Sequence, residues 1–304
     1  MASSLGHEPR FGIIGGSGVQ VEGKDPWRVK TPFGDCVLVA LDSDRRVIFA
    51  NRHKCTSLGG SGTEASYAPP HVVNYQALVW ALAVECKCAG IAALGSAGTL
   101  HPTRIPVGSV VVADDYYMVR PEPVTFWGHE QVGAFDVPGG GVGRVHYTPA
   151  DAMDQAALSF RARVQGILKA LLPALGEKVK LAHGQTPDLW PCVHSHQPGS
   201  SMEDSTVYVN TIGPRFETRA EIRAYQAAGH VVGMTCAREW MLCEEVGVPY
   251  CLICFCDNAC NGLSTHPSGA LQEYLDHKQS ITDVTTRVVE QLVNMLPQPE
   301  PSVP

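Results

Sequence analysis

A glycine-rich segment near the start of the sequence, "GIIGGSG", has the composition of an anion-binding turn. Gly15, Gly16 and Gly18 allow their backbone N–H groups to converge on one point, and the Ser17 hydroxyl adds a further donor. A purely structural turn would use the same residues, so this segment alone leaves both interpretations open.

Two further segments favour the anion-binding interpretation over the purely structural one. Arg52 and His53 directly follow the apolar run "RVIFA", and a guanidinium presents a planar fork of donors that suits phosphate. Gly95, Ser96 and Ala97 in "LGSAGTL" end a second apolar run in the same manner. Because α/β folds bind their ligands at the carboxyl ends of strands, the three segments together predict one oxyanion site, with phosphate as the best fit.

The common nucleotide-binding and hydrolase motifs do not match these segments. A dinucleotide fingerprint needs a third glycine where Val21 stands and a helix after it, which "QVEGKDPWRVKTPFG" does not predict. A P-loop needs a glycine, a lysine and a serine or threonine in succession, which the sequence lacks. A nucleophile elbow around Ser96 needs glycine where Leu94 stands.

The later segment "GPRFETRAEI" combines arginines, an aromatic ring and two carboxylates within ten residues. Glu217 and Glu221 are four residues apart and would share one face of a helix, which is typical of a solvated helix start. A ligand site could use the same mixture of charged and aromatic groups. The segment by itself does not decide between the two.

The elements that must position these groups alternate along the chain. Short β-branched or cysteine-rich runs such as "CVLVALD", "STVYVNTI" and "PYCLICFC" predict buried strands, and segments such as "AREWMLCEEVG" place apolar residues at helical spacing. The alternation predicts an α/β fold, a single domain with a central mixed β-sheet flanked by helices. We expect this domain to cover residues 1–296, with long surface loops near 128–145 and 183–206 and a disordered tail at 297–304.

Composition narrows the classes of function. With 44% hydrophobic and 17% charged residues the chain can bury a large core, and its net charge of −7 argues against nucleic acid as a partner. No apolar run approaches the roughly 20 residues that span a bilayer, and the start lacks a signal-peptide core, so we expect a cytoplasmic protein without a membrane partner. Eleven cysteines at uneven spacing fit reduced thiols.

One cluster of cysteines, in "YCLICFCDNAC", contains a C-x-x-C pair of the kind found in zinc sites. The surrounding residues predict a buried strand, where free cysteine is common, and no second pair stands at zinc-finger spacing. His194 and His196 lie in a polar loop and are weak ligand candidates. We therefore interpret the four cysteines of the cluster as structural: Cys251, Cys254, Cys256 and Cys260.

Taken in order, the motifs "GIIGGSG", "NRH", "VNYQALVWAL", "GSAGTL", "GPRFETRAE", "GMT" and "DNACNG" resemble those of the purine nucleoside phosphorylase family, and more closely its methylthioadenosine phosphorylase branch. The resemblance covers most of the chain. It implies one α/β domain, a homotrimer with sites near subunit interfaces, and reversible phosphorolysis of a purine nucleoside to free base and sugar 1-phosphate. It also implies inorganic phosphate as co-substrate, with no metal and no other cofactor.

The resemblance assigns roles to residues at matching positions. It implies five phosphate ligands, which are Ser17, Arg52, His53, Ser96 and Thr235. Met234 would contact the ribose, Phe216 would lie against the purine, and Ala97 would be a further substrate contact. His146, in "RVHYTP", matches a residue that some relatives lend to the 5′ pocket of the neighbouring subunit.

Two residues would read the base and stabilise the charge that develops on it, which makes them the expected catalytic contacts: Glu217 and Asn258. Glu217 can accept a hydrogen bond from a ring nitrogen that carries a proton. The adenine-specific members carry an aspartate where this sequence has Asn258, and an amide can also donate to a 6-oxo group. The pair therefore resembles the 6-oxopurine enzymes, which act on inosine, guanosine or methylthioinosine. A loop-capping role for Asn258 is the structural alternative.

The sequence leaves three points about the function open. The motif pattern also fits a methylthioadenosine phosphorylase with a 6-aminopurine preference, and the two long insertions would fit a nucleoside-binding protein without catalysis. The segment "GLSTHPSGALQEYLDHK", with His266 and Leu271, could accept either a hydroxyl or a methylthio group at the 5′ position.

Overall fold

The apolar runs form the strands of one mixed sheet, as their β-branched and cysteine-rich composition predicts. The computed structural model describes residues 8–16, 18–19, 21, 23–55, 67–119, 124–128, 155–183, 193–194 and 205–298, with the backbone alone for 24, 172–183 and 193–194. The strands of this part are β1 (Arg10–Gly15), β2 (Lys24–Thr31), β3 (Gly34–Ala40), β4 (Val47–Asn51), β5 (Cys88–Thr99), β6 (Val110–Val112), β7 (Asp115–Met118), β8 (Val193–His194), β9 (Val207–Asn210), β10 (Val231–Gly233) and β11 (Tyr250–Ala259).

The long central strand β5 joins two parts of the sheet. The strand order is β2-β3-β4-β1-β5-β10-β9-β7, and β5 also pairs with β11, which continues through β6 to β8. Strands β4, β1, β5 and β11 are mutually parallel, whereas β10 pairs antiparallel with the end of β5. The carboxyl ends of four parallel strands therefore meet at one edge of the sheet.

The helices of the described residues pack on both faces of this sheet. They are α1 (Tyr75–Trp80), which continues as a π-helical segment (Ala81–Glu85), α2 (Gln155–His183), α3 (Arg219–Tyr225), α4 (Cys236–Glu245) and α5 (Ala270–Met295). Gly247, two residues after α4, has φ 70°, the conformation that commonly follows a helix end. None of these described helices is long and apolar enough to cross a bilayer.

The core divides into clusters on opposite faces of the sheet. One contains Cys254 and Cys256 with residues of α1 and α4, and another contains Cys251 with residues of α2 and α5. Cys251 and Cys254 therefore point to opposite faces, which fits the structural interpretation of the cysteine cluster because a C-x-x-C pair so arranged cannot close on one ion.

The predicted fold class is confirmed, with two local differences. Strand β2 was not foreseen, because its sequence "KDPWRVKT" contains a proline and four charged residues, and only Trp27 and Val29 alternate with charged ones. Glu217 precedes α3 and is not part of that helix. Several features predicted from the sequence lie outside the described residues: Ser17, His146, His196, most of the loops near 128–145 and 183–206, and the tail from residue 299 onward.

Candidate active site

A cavity of about 400 Å³ opens at the carboxyl edge of the sheet. Its walls come from the residues after β1 and β4, the carboxyl-terminal part of β5, the segment after β10 and the end of β11. Nine of the eleven site residues predicted from the sequence line it: Arg52, His53, Ser96, Ala97, Phe216, Glu217, Met234, Thr235 and Asn258. Segments distant in sequence are therefore brought together at one place.

The guanidinium of Arg52 is buried and bonded mainly to protein. Its Nε and Nη2 donate to the two carboxylate oxygens of Glu239, the Nη2 bond at 2.8 Å, and Nη2 also donates to Cys236 Sγ at 3.5 Å. Nη1 donates to the Leu94 carbonyl at 3.2 Å. These described neighbours take up four of the five guanidinium hydrogens, so one hydrogen on Nη1 is left for a ligand. The guanidinium fork of Arg52, which the sequence predicted to bind phosphate, is bonded to Glu239.

Gly15 and Gly16 provide the space that this arrangement needs. A Cβ at Gly16 would lie 2.9 Å from Arg52 Nη1, and a Cβ at Gly15 would lie 2.7 Å from the ring of Phe49. Gly16 also lines the cavity. The two interpretations of the glycine loop, as a packing element and as part of a ligand site, are therefore compatible.

His53 offers an acceptor to the cavity. Its Nδ1 lies 2.7 Å from the Ala68 carbonyl oxygen, so Nδ1 carries the hydrogen and Nε2 is an acceptor in the neutral ring. Burial, and then the charge of Arg52, lower the pKa of His53 from 6.5 to about 4. The ring also stacks on Tyr67, with centroids 4.7 Å apart. His53 is therefore a neutral group throughout the physiological pH range.

Ser96 is paired with a buried carboxyl. Its hydroxyl donates to Oδ2 of Asp257, the residue before Asn258. Asp257 is 1% exposed, and its Oδ1 has no hydrogen-bond partner in the part of the chain described. Burial raises the pKa of Asp257 from 3.8 to about 7, more than the Ser96 hydrogen bond lowers it, and the charge of Glu273 raises it further. The carboxyl therefore keeps its proton to a much higher pH than an exposed aspartate does.

Asp257 should make stability depend on pH. An unfolded aspartate ionises near pH 4, whereas folded Asp257 keeps its proton up to about pH 7, so stability falls as the pH rises through this window. At about 1.4 kcal/mol for each pH unit between the two pKa values, the loss approaches about 4 kcal/mol by about pH 8. We expect Asp257→Asn to raise the urea midpoint strongly at pH 8 and little at pH 4.5. An equal change at both pH values would show that Asp257 does not titrate in this window.

Thr235 stands where β10 leads into α4. It is the residue before the helix, and its hydroxyl lies 3.4 Å from Cys236 Sγ. The backbone N–H groups of Thr235 and Cys236 both donate to Tyr208 Oη at 3.4 Å. Because both backbone N–H groups are directed at Tyr208, a ligand in the cavity would contact the side chains of Thr235 and Met234, which line it.

Glu217 and Glu221 have separate roles. Thr218 caps α3 and forms a reciprocal capping box with Glu221, which also pairs with both terminal nitrogens of Arg215 at 2.8 Å. Arg215 and Glu221 thus support the helix start. Glu217 is buried and lines the cavity, where Thr211 Oγ1 donates to its Oε1 at 2.6 Å. The two glutamates therefore do not share a helix face, as their spacing had allowed.

Phe216 and Asn258 complete this part of the lining. The Phe216 ring lies 6.3 Å from the ring of Tyr274, at an interplanar angle of 59°. Asn258 Nδ2 donates to the Ala259 carbonyl at 2.9 Å, which uses one of its two amide hydrogens. The other amide hydrogen and Oδ1 are available to a ligand. A local capping bond and a base contact are therefore compatible.

The segment considered for the 5′ position contributes a different residue from those foreseen. Tyr274 lines the cavity, whereas His266 pairs with Asp276 at 3.2 Å and Leu271 is largely exposed. Tyr274 lies within α5. An aromatic residue in a helix is also typical of a packing position, so the sequence did not mark Tyr274 as a ligand contact.

Sequence reasoning missed the residues that hold the predicted ones in place. Glu239 holds Arg52 across 187 positions, Asp257 holds Ser96 across 161, and Thr211 holds Glu217 across six. The available signal was an acidic residue inside an apolar segment, "AREWMLC" for Glu239 and "LICFCDNA" for Asp257.

Comparisons with known proteins agree with this geometry. Residues 10–294 match the family model described as the phosphorylase superfamily. The chain is 30% identical over 297 residues to a probable S-methyl-5′-thioinosine phosphorylase of Methanopyrus kandleri, covering 96% of this chain and 94% of the relative. It is 32% identical over 265 residues to the 6-oxopurine nucleoside phosphorylase of Pyrococcus furiosus, covering 84% and 82%.

Solved structures support the fold. A variant of adenosine/methylthioadenosine phosphorylase from Schistosoma mansoni, bound to adenine, superposes with a TM-score of 0.67 at 22% identity, over 95% of this chain and 92% of that one. The resemblance drawn from the motifs is thus confirmed at the level of the family. From the matched family model and the identity across nearly the whole length, we conclude that the chain belongs to the phosphorylase superfamily.

Proposed function

We propose that the protein catalyses the phosphate-dependent, reversible cleavage of the N-glycosidic bond of a purine nucleoside. The products are free purine and ribose 1-phosphate, or its deoxy or methylthio analogue. The observation that carries the proposal is that residues predicted to bind phosphate and residues predicted to bind the base line one cavity. The names of the relatives from Methanopyrus kandleri and Pyrococcus furiosus support the same reaction class.

In this proposal phosphate, the co-substrate, binds where β1, β4 and β5 end. Arg52 supplies one Nη1–H, and His53 Nε2 accepts the hydrogen of a protonated phosphate oxygen, because its Nδ1–H already donates to Ala68. Ser96 and Thr235 add hydroxyl groups, and Ser17 would add another. No other cofactor is required.

The chemistry follows from the charges that these groups stabilise. A phosphate oxygen forms a bond to C1′ of the sugar while the bond from C1′ to N9 breaks, and the electron pair of that bond passes to the purine. Positive charge on the sugar is stabilised by the adjacent phosphate, and negative charge on the purine by a hydrogen bond from Asn258. The purine leaves as an anion and takes up a proton from solvent. The protein contributes position and charge stabilisation, and no protein nucleophile is needed.

Base recognition falls to Phe216, Glu217 and Asn258. Phe216 packs against the purine, Glu217 accepts from N1–H, and the free amide hydrogen of Asn258 donates to O6 or N7. This arrangement favours a 6-oxopurine. A 6-aminopurine preference, as in methylthioadenosine phosphorylases, is the second candidate, because a further relative, from Thermococcus kodakarensis, is named S-methyl-5′-thioadenosine phosphorylase.

We further infer a cytoplasmic homotrimer, in which His146 completes the 5′ pocket of a neighbouring subunit. This part of the proposal is supported by the motif resemblance alone.

A substrate panel tests the reaction directly. Inosine, guanosine, adenosine, methylthioadenosine and methylthioinosine would each be incubated with and without phosphate, and release of free base would be measured by absorbance. We expect base release only with phosphate, with sugar 1-phosphate formed in equal amount. Release without phosphate would point to hydrolysis, and binding of nucleoside without release in any mixture would point to a binding protein.

A further inference from the structure

We propose that Asp257 is a positioning residue that couples anion binding to the uptake of one proton, by setting the direction of the Ser96 hydroxyl. This inference rests on the proposed placement of phosphate against Ser96. It concerns a residue that does not itself line the cavity.

The position of Asp257 is set by an irregularity in β11. Cys256 pairs with Ala97 and Asn258 with Gly98, so Asp257 is the extra residue of a bulge in the ladder between β11 and β5. Its side chain is buried, its Oδ2 accepts from the Ser96 hydroxyl, and its Oδ1 has no partner among the residues described. A carboxyl that is buried and half satisfied in this way favours its neutral form.

A hydroxyl has only one hydrogen to give. When Asp257 is ionised, its carboxylate can only accept hydrogen bonds, so the Ser96 hydroxyl donates its hydrogen to Asp257. The Ser96 oxygen then presents only its lone pairs to the cavity. These lone pairs repel the oxygens of a fully ionised anion. When Asp257 is protonated it can donate to Ser96 Oγ, and the Ser96 hydrogen is released to point at the anion.

The charge balance at the site favours the same coupling. Arg52 is the one cation among the described residues that line the cavity, and it is already paired with Glu239. With Asp257 ionised, these three groups sum to −1 before any anion enters; with Asp257 protonated, they sum to zero. Proton uptake at Asp257 therefore removes the like charge nearest to Ser96.

Among the described residues, no lysine or arginine acts on the charge of Asp257. On α5, Glu273 Oε2 accepts from the Ala259 backbone at 2.8 Å, and His277 Nδ1 lies 2.9 Å from the Asp257 carbonyl oxygen, so it donates to the backbone and not to the carboxyl. The other described titratable groups beside Asp257 are the thiols of Cys256 and Cys260.

Sulfate separates this coupling from the ionisation of phosphate itself. Sulfate stays a dianion between about pH 6 and about pH 9 and only accepts hydrogen bonds, so it needs the Ser96 hydrogen. Its dissociation constant would be measured by calorimetry on the wild-type protein across this range. We expect the constant to rise about tenfold per pH unit above the Asp257 pKa, because only the protonated fraction binds. Titrations in two buffers of different ionisation enthalpy should show uptake of about one proton per sulfate near pH 8.

Three variants locate the effect. Asp257→Asn should bind sulfate with little pH dependence and at least tenfold more tightly than wild type at about pH 9. Ser96→Ala should also lose most of the pH dependence, and adding Asp257→Asn to it should change only the small remainder that comes from the charge of Asp257. Glu273→Gln, a matched change at a neighbouring buried carboxylate that does not touch Ser96, should retain the wild-type slope, with its midpoint moved to lower pH because the charge of Glu273 no longer raises the pKa of Asp257.

The inference fails if wild-type sulfate affinity is flat over this range, or if Asp257→Asn keeps the wild-type slope. It also fails if Asp257→Asn has its full effect in the Ser96→Ala background, since charge alone would then act without the hydroxyl. The sulfate titration involves no turnover. Failure of phosphorolysis in the substrate panel would therefore be read independently of failure of the proton coupling.

Discussion

Arg52→Met is expected to lower the free energy of unfolding by about 3 to 5 kcal/mol, because it leaves the Glu239 carboxylate charged, buried and without its guanidinium. The same change should raise the phosphate KM roughly ten- to a hundredfold, since a hydrogen bond from a charged donor contributes about 1.5 to 3 kcal/mol. Urea unfolding and phosphate saturation at fixed nucleoside measure the two effects.

A double variant separates the two roles of Arg52. Arg52→Met with Glu239→Gln removes both charges, and the amide oxygen can still accept the hydrogen bond that Tyr250 Oη gives to Glu239 at 2.9 Å. Stability should therefore recover most of the loss, while the phosphate KM stays high. Normal phosphate saturation in the double variant would remove Arg52 from the anion site. Arg28→Met is the control, because its exposed pair with Asp35 should contribute at most about 1 kcal/mol.

The wild-type protein is expected to prefer 6-oxopurine nucleosides by roughly 30-fold to more than a thousandfold in kcat/KM. A 6-oxopurine presents N1–H to Glu217 and O6 to Asn258, whereas adenine presents an acceptor to the carboxylate and an amino group to the amide. Each mismatch leaves a buried polar group unpaired, at a cost of about 1 to 3 kcal/mol. Inosine against adenosine, and methylthioinosine against methylthioadenosine, give the two ratios.

Asn258→Asp should shift both ratios toward the 6-amino substrates, because the new carboxylate accepts from the amino group and repels O6. Some loss of total activity is expected, since the hydrogen bond from Asn258 Nδ2 to the Ala259 carbonyl is lost as well. Asn294→Asp makes the same chemical change at an exposed position of α5, outside the cavity lining, and should leave the ratios within a fewfold. A wild-type preference for the 6-amino substrate in both pairs would replace this assignment with the methylthioadenosine one.

The sequence predicted which residues come to the cavity better than it predicted what holds them. Arg52 and Ser96 could be placed because each ends an apolar strand, and the ends of parallel strands meet at one edge. Their partners Glu239 and Asp257 lie more than 160 positions away, and no local pattern records a contact over that distance. The position of Glu217 could have been predicted from a local pattern. The sequence "TRAE" contains the capping box of Thr218 and Glu221, which places Glu217 before the helix.

The central position of β5 has a consequence for how the chain is made. Its residue Ile91 pairs with Gly12 of β1, which is made earlier, but the partner on its other edge is Tyr250 of β11, roughly 160 residues later. At a synthesis rate of about 5 to 20 residues per second, that edge stays unpaired for roughly 8 to 30 s. An apolar strand edge exposed for so long invites pairing with other chains, and contacts so distant in sequence form slowly. The ligand cavity, which needs both strands, is therefore among the last features of the newborn protein to form.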